Sequence, residues 1–174
     1  WDGYYSEIQF RTLVGNISIG PIAQELPNDY RLTDKDIKWH SFGKFTGFAY
    51  AILDVNVEKR TVDMMFRFEP NQNCFYHRHV SPAISLVLEG EHHIFDRDDN
   101  GKELHKIRPA GTFAISQGGD VHIEGGGENG CTVFFSMRAD NDHIYDILDE
   151  DLNIVHKVSI HNFSETFERI EKTA

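Results

Sequence analysis

Much of the chain alternates apolar and polar residues with a period of two, the pattern of β-strands that have one buried face. A series of such segments follows residue 40, and turns that contain glycine, proline or asparagine separate them. The segments are residues 41–56, 61–70, 77–80, 84–88, 91–96, 104–109, 112–116, 121–124 and 131–138. Strands of this length and spacing, without a helical period, predict an all-β sandwich or barrel.

The two ends of the chain have a different character. Residues 1–40 alternate only weakly, around residues 10–20, so we expect an irregular extension with at most one edge strand. Residues 143–158 predict a hairpin with an acidic turn. The expected organisation is therefore an N-terminal extension (1–40), a barrel (41–140), and a C-terminal hairpin and helix packed on the barrel (141–174).

A short amphipathic helix is predicted over residues 162–172. Its apolar stripe consists of Phe163, Phe167 and Ile170. Asn162 and Glu165 have the spacing of a capping box at its start.

Composition narrows the class of protein. The chain has 174 residues and a net charge of −11. It has no basic cluster, so nucleic acid and anionic membrane surfaces are not expected partners. No apolar run approaches the roughly 20 residues that span a bilayer. Cys74 and Cys131 make no disulfide framework, which favours reduced thiols and a cytoplasmic location. Because the chain begins at Trp1, removal of a leader segment stays an open alternative.

Three histidines carry the candidate chemistry. His77 and His79 are one residue apart in a predicted strand, so their imidazoles point to the same face. His122 follows the segment G-T-F-A-I-S-Q-G-G-D-V, in which a short apolar strand lies between two glycine turns. This arrangement would return His122 to the side of the first two. Arg78, between the two histidines, should point away from the site and pair with a carboxylate.

These segments resemble the two motifs of the cupin superfamily. His77, His79 and Gly90 match the first motif, and Gly111, Gly119 and His122 match the second. The resemblance implies a single cupin jelly-roll barrel and a metal site. The glutamate of the first motif falls at Ile84, which cannot bind metal, so we expect a three-histidine site. Such a site suits Fe(II), with Zn(II), Ni(II), Cu(II) or Mn(II) as alternatives.

Within cupins, the chain resembles the branch of acetylacetone dioxygenase and 2,4'-dihydroxyacetophenone dioxygenase. The segment His77-Arg78-His79-Val80-Ser81-Pro82 carries this likeness. The resemblance implies non-haem iron chemistry on a small substrate that chelates Fe(II) through two oxygens. Dioxygen would then cleave a carbon–carbon bond of a β-diketone or hydroxyketone. It also implies Asp96 as a further metal ligand or catalytic group. Strand parity places His92 on the same face as Asp96, which makes His92 a candidate orienting catalytic residue.

Other readings of the same motifs stay open. One is a non-catalytic sensing cupin of the kind found in anti-sigma factors of the ChrR type, and another is an isomerase, lyase or hydrolase that uses Zn(II) or Ni(II). By analogy with other cupins we expect a homodimer. Cys74 is a further candidate near His77, although a small buried core residue is the simpler interpretation. The expected apolar wall of the site consists of Phe66, Phe68, Phe75, Phe113, Phe134 and Met137.

Overall fold

A computed structural model of the chain describes residues 36–43, 45–97 and 101–172. The predicted N-terminal extension, with its possible edge strand, thus lies almost wholly outside the described residues. The described part contains ten strands and one helix. They are β1 (His40–Ser41), β2 (Phe48–Asn56), β3 (Thr61–Phe68), β4 (His77–His79), β5 (Ala83–Arg97), β6 (Glu103–Pro109), β7 (Phe113–Ser116), β8 (Val121–Arg138), β9 (His143–Leu148), β10 (Ile154–Ser159) and α1 (Ile160–Lys172).

The strands form one curled antiparallel sheet, which confirms the predicted all-β cupin architecture. Its order is β1-β2-β3-β8-β4-β9-β10, and β5 pairs with β6, β7 and β8. Strand β8 is the longest, with 18 residues. Its C-terminal half pairs with β3, its first two residues pair with β4, and β5 pairs with it from Ile123 to Met137 with two register shifts. One strand therefore contributes to both the core and the candidate site.

The core lies on the inner face of this sheet. In β8 the inward residues are Cys131, Val133, Phe135 and Met137, all at most 4% exposed. They face buried residues of β3, such as Val62, which lies opposite Met137. Each fully buried side chain of this size contributes roughly 1.5–3 kcal/mol. Because side chains alternate between the two faces of β8, only those of one parity can reach the inner face.

Two predicted turns are part of longer strands. The expected break at Gly90 lies within β5, and the glycine-rich segment 125–130 lies within β8. Gly90 and Gly130 have positive φ angles of 69° and 72°, and the β5–β8 register shifts beside Gly90. A Cβ atom at Gly90 would collide with the carbonyl oxygen of Gly130. The glycines therefore allow bulges and a close crossing of two backbones instead of chain reversals.

The C-terminal elements match the prediction apart from the helix start. Strands β9 and β10 form the expected hairpin, and α1 begins at Ile160. The cap is Ser159, whose Oγ accepts a hydrogen bond from the Asn162 backbone N–H at 3.3 Å. In return, the Asn162 side chain accepts one from the Ser159 backbone N–H at 2.9 Å. The predicted box at Asn162 and Glu165 was thus three residues too late. Ile160, Phe163 and Ile170 are buried against the sheet.

Candidate metal centre

Strands β4 and β8 bring the three predicted histidines together. His77 and His79 project from the same side of β4, and His122 lies directly opposite His77 on β8. Residues directly opposite each other on antiparallel strands share a face. The ring centroids are 5.0 Å apart for His77 and His79, 4.6 Å for His77 and His122, and 5.3 Å for His79 and His122. All three side chains are buried.

Glu124 is the fourth member of this group. It follows His122 by two residues on β8 and therefore shares its face. Its Oε2 lies 3.4 Å from His77 Nε2, and its Oε1 lies 3.6 Å from His122 Nε2. The expectation of a site without glutamate is corrected here, because the carboxylate comes from the second motif's strand and not from position 84. The alternation of residues in V-H-I-E is the sequence signal for Glu124, because it places Glu124 on the same strand face as His122.

The donor set fits a transition metal ion. One ligand atom from each of His77, His79, His122 and Glu124 lies within 4.8 Å of all the others. His77 Nε2 and His79 Nε2 are 3.2 Å apart. Two nitrogens bound to one ion at roughly 2.0–2.1 Å lie about 2.9–3.4 Å apart for octahedral or tetrahedral angles. In addition, the buried Nε2 of His122 has no hydrogen-bond partner within the described ranges, which suits a nitrogen reserved for a metal.

Burial and neighbouring charges set the protonation of three members of the group. Burial and the neighbouring charge of His77 lower the pKa of His79 to about 3, so its ring is neutral at physiological pH. Burial alone would raise the pKa of Glu124, but the rings of His92, His122 and His77 hold it well below its ordinary value. Glu124 is therefore a carboxylate. For His77, burial is outweighed by Cys74 and Glu124, which hold its pKa well above the usual value.

A backbone carbonyl orients His77. Its Nδ1 lies 3.1 Å from the carbonyl oxygen of Phe75, a position from which Nδ1–H donates and Nε2 faces the other ligands. Such contacts fix the tautomer of metal-binding histidines. The Sγ of Cys74 lies farther away, 3.8 Å from the same Nδ1. Cys74 is half-buried behind the ring and is not a member of the ligand group.

His92 lies behind Glu124 on β5. It is fully buried, and its Nε2 is 3.3 Å from Glu124 Oε1. Its ring stacks on Phe68 with an interplanar angle of 22° and meets Phe135 edge to face. The predicted inner-face position of His92 is thus what the structure shows. Its nitrogen approaches the Glu124 carboxylate and none of the other three residues of the group, and a catalytic role for His92 stays a prediction.

Asp96 does not join the ligand group. It lies on the same inner face of β5 as Ile94, but its Oδ2 binds Lys106 Nζ at 2.8 Å. The predicted fourth ligand is thus replaced by Glu124. The physical reason is distance along the strand: Asp96 lies four residues beyond His92, roughly 13 Å at 3.3 Å per residue. Asp96 instead lines the polar cavity beside the group.

Arg78 points away from the ligands, as its position between two inward histidines requires. Its Nε donates to Asp146 Oδ2 at 3.1 Å, and His143 Nε2 lies 2.7 Å from Asp146 Oδ1. Asp146 is fully buried and lies opposite Arg78 on β9. This cluster fastens β4 to β9 and so holds the strand that carries His77 and His79.

Comparison with known proteins places this arrangement in a family. The profile of the ChrR cupin-like domain matches residues 28–139, well over half of the chain. The chain belongs to the ChrR cupin-like domain family. None of the curated protein sequences matches it.

Solved structures agree with this assignment at the level of the fold. An RmlC-like cupin protein from Ralstonia eutropha JMP134 superposes with a TM-score of 0.64 at 12% identity, covering 83% of this chain and 87% of that one. An acetylacetone dioxygenase from Acinetobacter johnsonii gives 0.62 at 11% identity, covering 86% and 95%. A mutant oxalate decarboxylase from Bacillus subtilis gives 0.53 at 14% identity, covering 66% and 31%. The structural neighbours of this cupin thus include enzymes.

We call His77, His79, His122 and Glu124 the metal group of this cupin. An apolar cavity, the aromatic cavity, opens onto it. Its volume is about 430 Å³ with its mouth included. His77, His79 and Glu124 form one wall, and the rest is Phe48, Met64, Phe66, Phe68, Cys74, Phe75, Phe135, Met137 and Tyr145. Among these described lining residues there is no lysine or arginine.

Among the described residues, the search for a helix with the length and hydropathy of a membrane span finds none.

The predicted apolar wall is partly correct. Phe66, Phe68, Phe75 and Met137 line the cavity. Phe134 and Phe113 do not, because Phe134 has the opposite parity to Met137 on β8 and Phe113 is 59% exposed on β7. Phe135 takes the place of Phe134, and its ring stacks on His79 at 20°. Phe48, Met64 and Tyr145 are wall residues that the sequence did not single out.

Proposed function

We propose that this cupin is a metal-dependent dioxygenase, with Fe(II) as its metal, that cleaves a carbon–carbon bond of a small β-diketone or hydroxyketone. The observation that carries the proposal is a buried group of three imidazoles and one carboxylate on the wall of an aromatic cavity. A small organic substrate in this cavity would lie directly against the group. The fold likeness to an acetylacetone dioxygenase supports the same reaction class.

His77, His79, His122 and Glu124 would hold the ion. Four protein ligands leave positions of an octahedral ion open, which suits a substrate that chelates through two oxygens. Bound Fe(II) would supply a positive charge for the enolate form of the substrate and the electrons that activate dioxygen. Three neutral imidazoles would leave the charge of the ion unchanged and the Glu124 carboxylate would offset half of it, so a net positive charge would remain for this task.

The remaining side chains prepare the cavity for such a substrate. The rings of Phe68, Phe75 and Phe135 exclude water and offer flat apolar contacts. Burial raises the pKa of Tyr145 far above its usual value, so its hydroxyl stays protonated and can donate a hydrogen bond to a substrate oxygen. His92 holds the Glu124 carboxylate at 3.3 Å, which keeps that ligand in place while substrate enters.

A second candidate function is a non-catalytic, metal-dependent sensing domain. Membership in the ChrR cupin-like domain family favours it. Three histidines and a glutamate also complete a tetrahedral zinc site, and closed zinc sites are structural whereas catalytic ones keep a position open. The two candidates therefore differ in the metal carried and in whether a coordination position is free.

Oxygen uptake distinguishes these candidates. Protein loaded anaerobically with Fe(II) is mixed with oxygen and a panel of β-diketones and aryl hydroxyketones, while an electrode follows oxygen and chromatography follows the products. The proposed function predicts oxygen consumption in proportion to the cleavage products, and loss of both in the Glu124→Ala variant. Absence of turnover across the panel, with a tightly held zinc ion in the purified protein, would refute it and favour the sensing function.

A further inference from the structure

Strand β6 carries its basic residues on the inner face of the sheet. Arg108 lies directly opposite His92 on β5, and Lys106 lies opposite Ile94. His92 and Ile94 are buried, and directly opposite residues share a face. Ile107, which has the opposite parity, is 52% exposed. From Lys106 to Arg108 the usual pattern of apolar-in and polar-out is therefore reversed. The Lys106 side chain is still 50% exposed, whereas Arg108 is half-buried and needs an explanation other than packing.

Both cations line a second cavity at the metal group. This polar cavity has a volume of about 460 Å³ with its mouth included, and its wall includes His79, His122 and Glu124. The metal group thus lies between two cavities of different chemistry. The aromatic cavity has no lysine or arginine among the described residues that line it. The polar cavity has Lys106 and Arg108 together with three carboxylates, Asp96, Asp120 and Glu124.

The two cations of the polar cavity differ in their partners. Lys106 Nζ binds the carboxylate of Asp96 at 2.8 Å. Arg108 is half-buried, and no carboxylate within residues 36–43, 45–97 or 101–172 forms an ion pair with it. A guanidinium withdrawn from water without an acid is unfavourable, and a bound anion removes this cost. Its planar fork matches the two oxygens of a carboxylate.

We propose that Arg108 binds a carboxylate of the substrate in the polar cavity. This inference rests on the proposed function and narrows it: the substrate is a β-diketone or hydroxyketone that also bears a carboxylate. Its chelating oxygens face the metal group, its carboxylate pairs with Arg108, and its apolar end occupies the aromatic cavity. Arg108 is then a specificity-determining residue, because a neutral substrate of the same shape leaves the guanidinium unpaired.

A matched pair of probes tests this assignment without turnover. Acetylacetone and 2,4-dioxopentanoate share the β-diketone, and only the second carries a carboxylate. Binding of each is measured by calorimetry on zinc-loaded protein, which does not perform the oxidation. The wild type is compared with Arg108→Gln, Arg108→Lys and the control Arg138→Gln. Arg138 is an exposed arginine at the far end of β8, outside both cavities.

The proposal predicts a clear pattern across these proteins. Wild type and Arg138→Gln bind 2,4-dioxopentanoate about tenfold or more tighter than acetylacetone, the effect of one charge-assisted bidentate pair. Arg108→Gln abolishes this preference without changing acetylacetone affinity or zinc content, and Arg108→Lys restores part of it. Equal affinities in the wild type, or equal loss of both affinities in Arg108→Gln, would overturn the proposal. The affinities of the wild type for the two probes test the proposal even if a variant fails to fold.

The outcome separates this inference from the proposed function. If iron-loaded protein consumes oxygen with both probes equally and Arg108→Gln has no effect, the dioxygenase stands and the carboxylate site is refuted. If Arg108 confers the binding preference but neither probe supports oxygen uptake, the carboxylate site stands and the dioxygenase reaction on these substrates is refuted.

Discussion

His77 and His122 lie directly opposite each other on the antiparallel strands β4 and β8, with ring centroids 4.6 Å apart. Each has a second potential ligand two residues along its own strand, His79 and Glu124. The metal group is therefore a product of strand register. A shift of one residue between β4 and β8 would turn one ligand pair to the opposite face.

Removal of one ligand tests whether the four residues act on one ion. His122→Ala should lower metal affinity by more than the roughly 10–100-fold that changes around metal ligands cost. His156→Ala is the matched control, because His156 is exposed on β10. Competition with a chromogenic chelator measures the affinity of each protein for Zn(II). Equal affinities in wild type and His122→Ala would exclude His122 as a ligand.

His92 should matter to the metal through Glu124. His92→Phe keeps a ring between Phe68 and Phe135 but removes the nitrogen beside Glu124 Oε1. We expect a loss of about 10–100-fold in metal affinity with little change in thermal stability. His92→Gln retains a hydrogen-bond donor and should recover part of the affinity. An affinity that is unchanged in His92→Phe would show that His92 is a packing residue only.

Asp146 should give the protein an acid-sensitive stability. Burial alone would raise its pKa, but Arg78 and His143 hold the pKa below the ordinary value of 3.8. A depressed pKa in the folded state means that the stabilisation is complete above about pH 4 and is lost as the pH falls through the lower, folded-state value. Asp146→Asn should cost roughly 1–2 kcal/mol at neutral pH, since both partners remain partly exposed.

Urea denaturation at a series of pH values measures this contribution. The difference in unfolding free energy between wild type and Asp146→Asn should shrink as the pH falls below about 4. Asp151→Asn, in the exposed turn between β9 and β10, is the control and should have little effect. A difference that stays constant across this pH range would show that Asp146 is not held as a carboxylate by Arg78 and His143.

Gly90 tests the close crossing of β5 and β8. A Cβ at this position meets the Gly130 carbonyl oxygen, whereas a Cβ at Gly111 meets nothing within 4 Å. Both residues have positive φ, so Gly111→Ala measures backbone strain alone, about 1–2 kcal/mol. Gly90→Ala adds a steric clash and should cost more than about 3 kcal/mol. Equal destabilisation in urea titrations would contradict the crossing seen here.

How far the sequence predicts this molecule depends on how local each signal is. The strand period and the histidine spacing are local, and they predicted the all-β fold and three of the four ligand residues. Glu124 was not predicted because the glutamate of the cupin motif falls at Ile84. The signal for Glu124 is instead the alternation in V-H-I-E, which puts it on the same strand face as His122. The same alternation places Phe135 on the face of β8 that lines the aromatic cavity and Phe134 on the opposite face. By contrast, a glycine cluster predicts a turn and a bulge equally well, so the continuity of β5 and β8 could not be deduced.

The pairing of charged side chains between strands depends on the sheet register, which a single sequence does not reveal. The pairing of Asp96 with Lys106 and of Arg78 with Asp146 joins residues from different strands. A homodimer and a cytoplasmic location stay predictions.

Elemental analysis of protein purified without oxygen tests the central claim most directly. Four buried ligand residues around one point predict about one transition metal ion per chain, and the dioxygenase proposal predicts that this ion is iron. Protein that carries no stoichiometric metal and takes up none from an excess of Fe(II) or Zn(II) would contradict the metal centre itself.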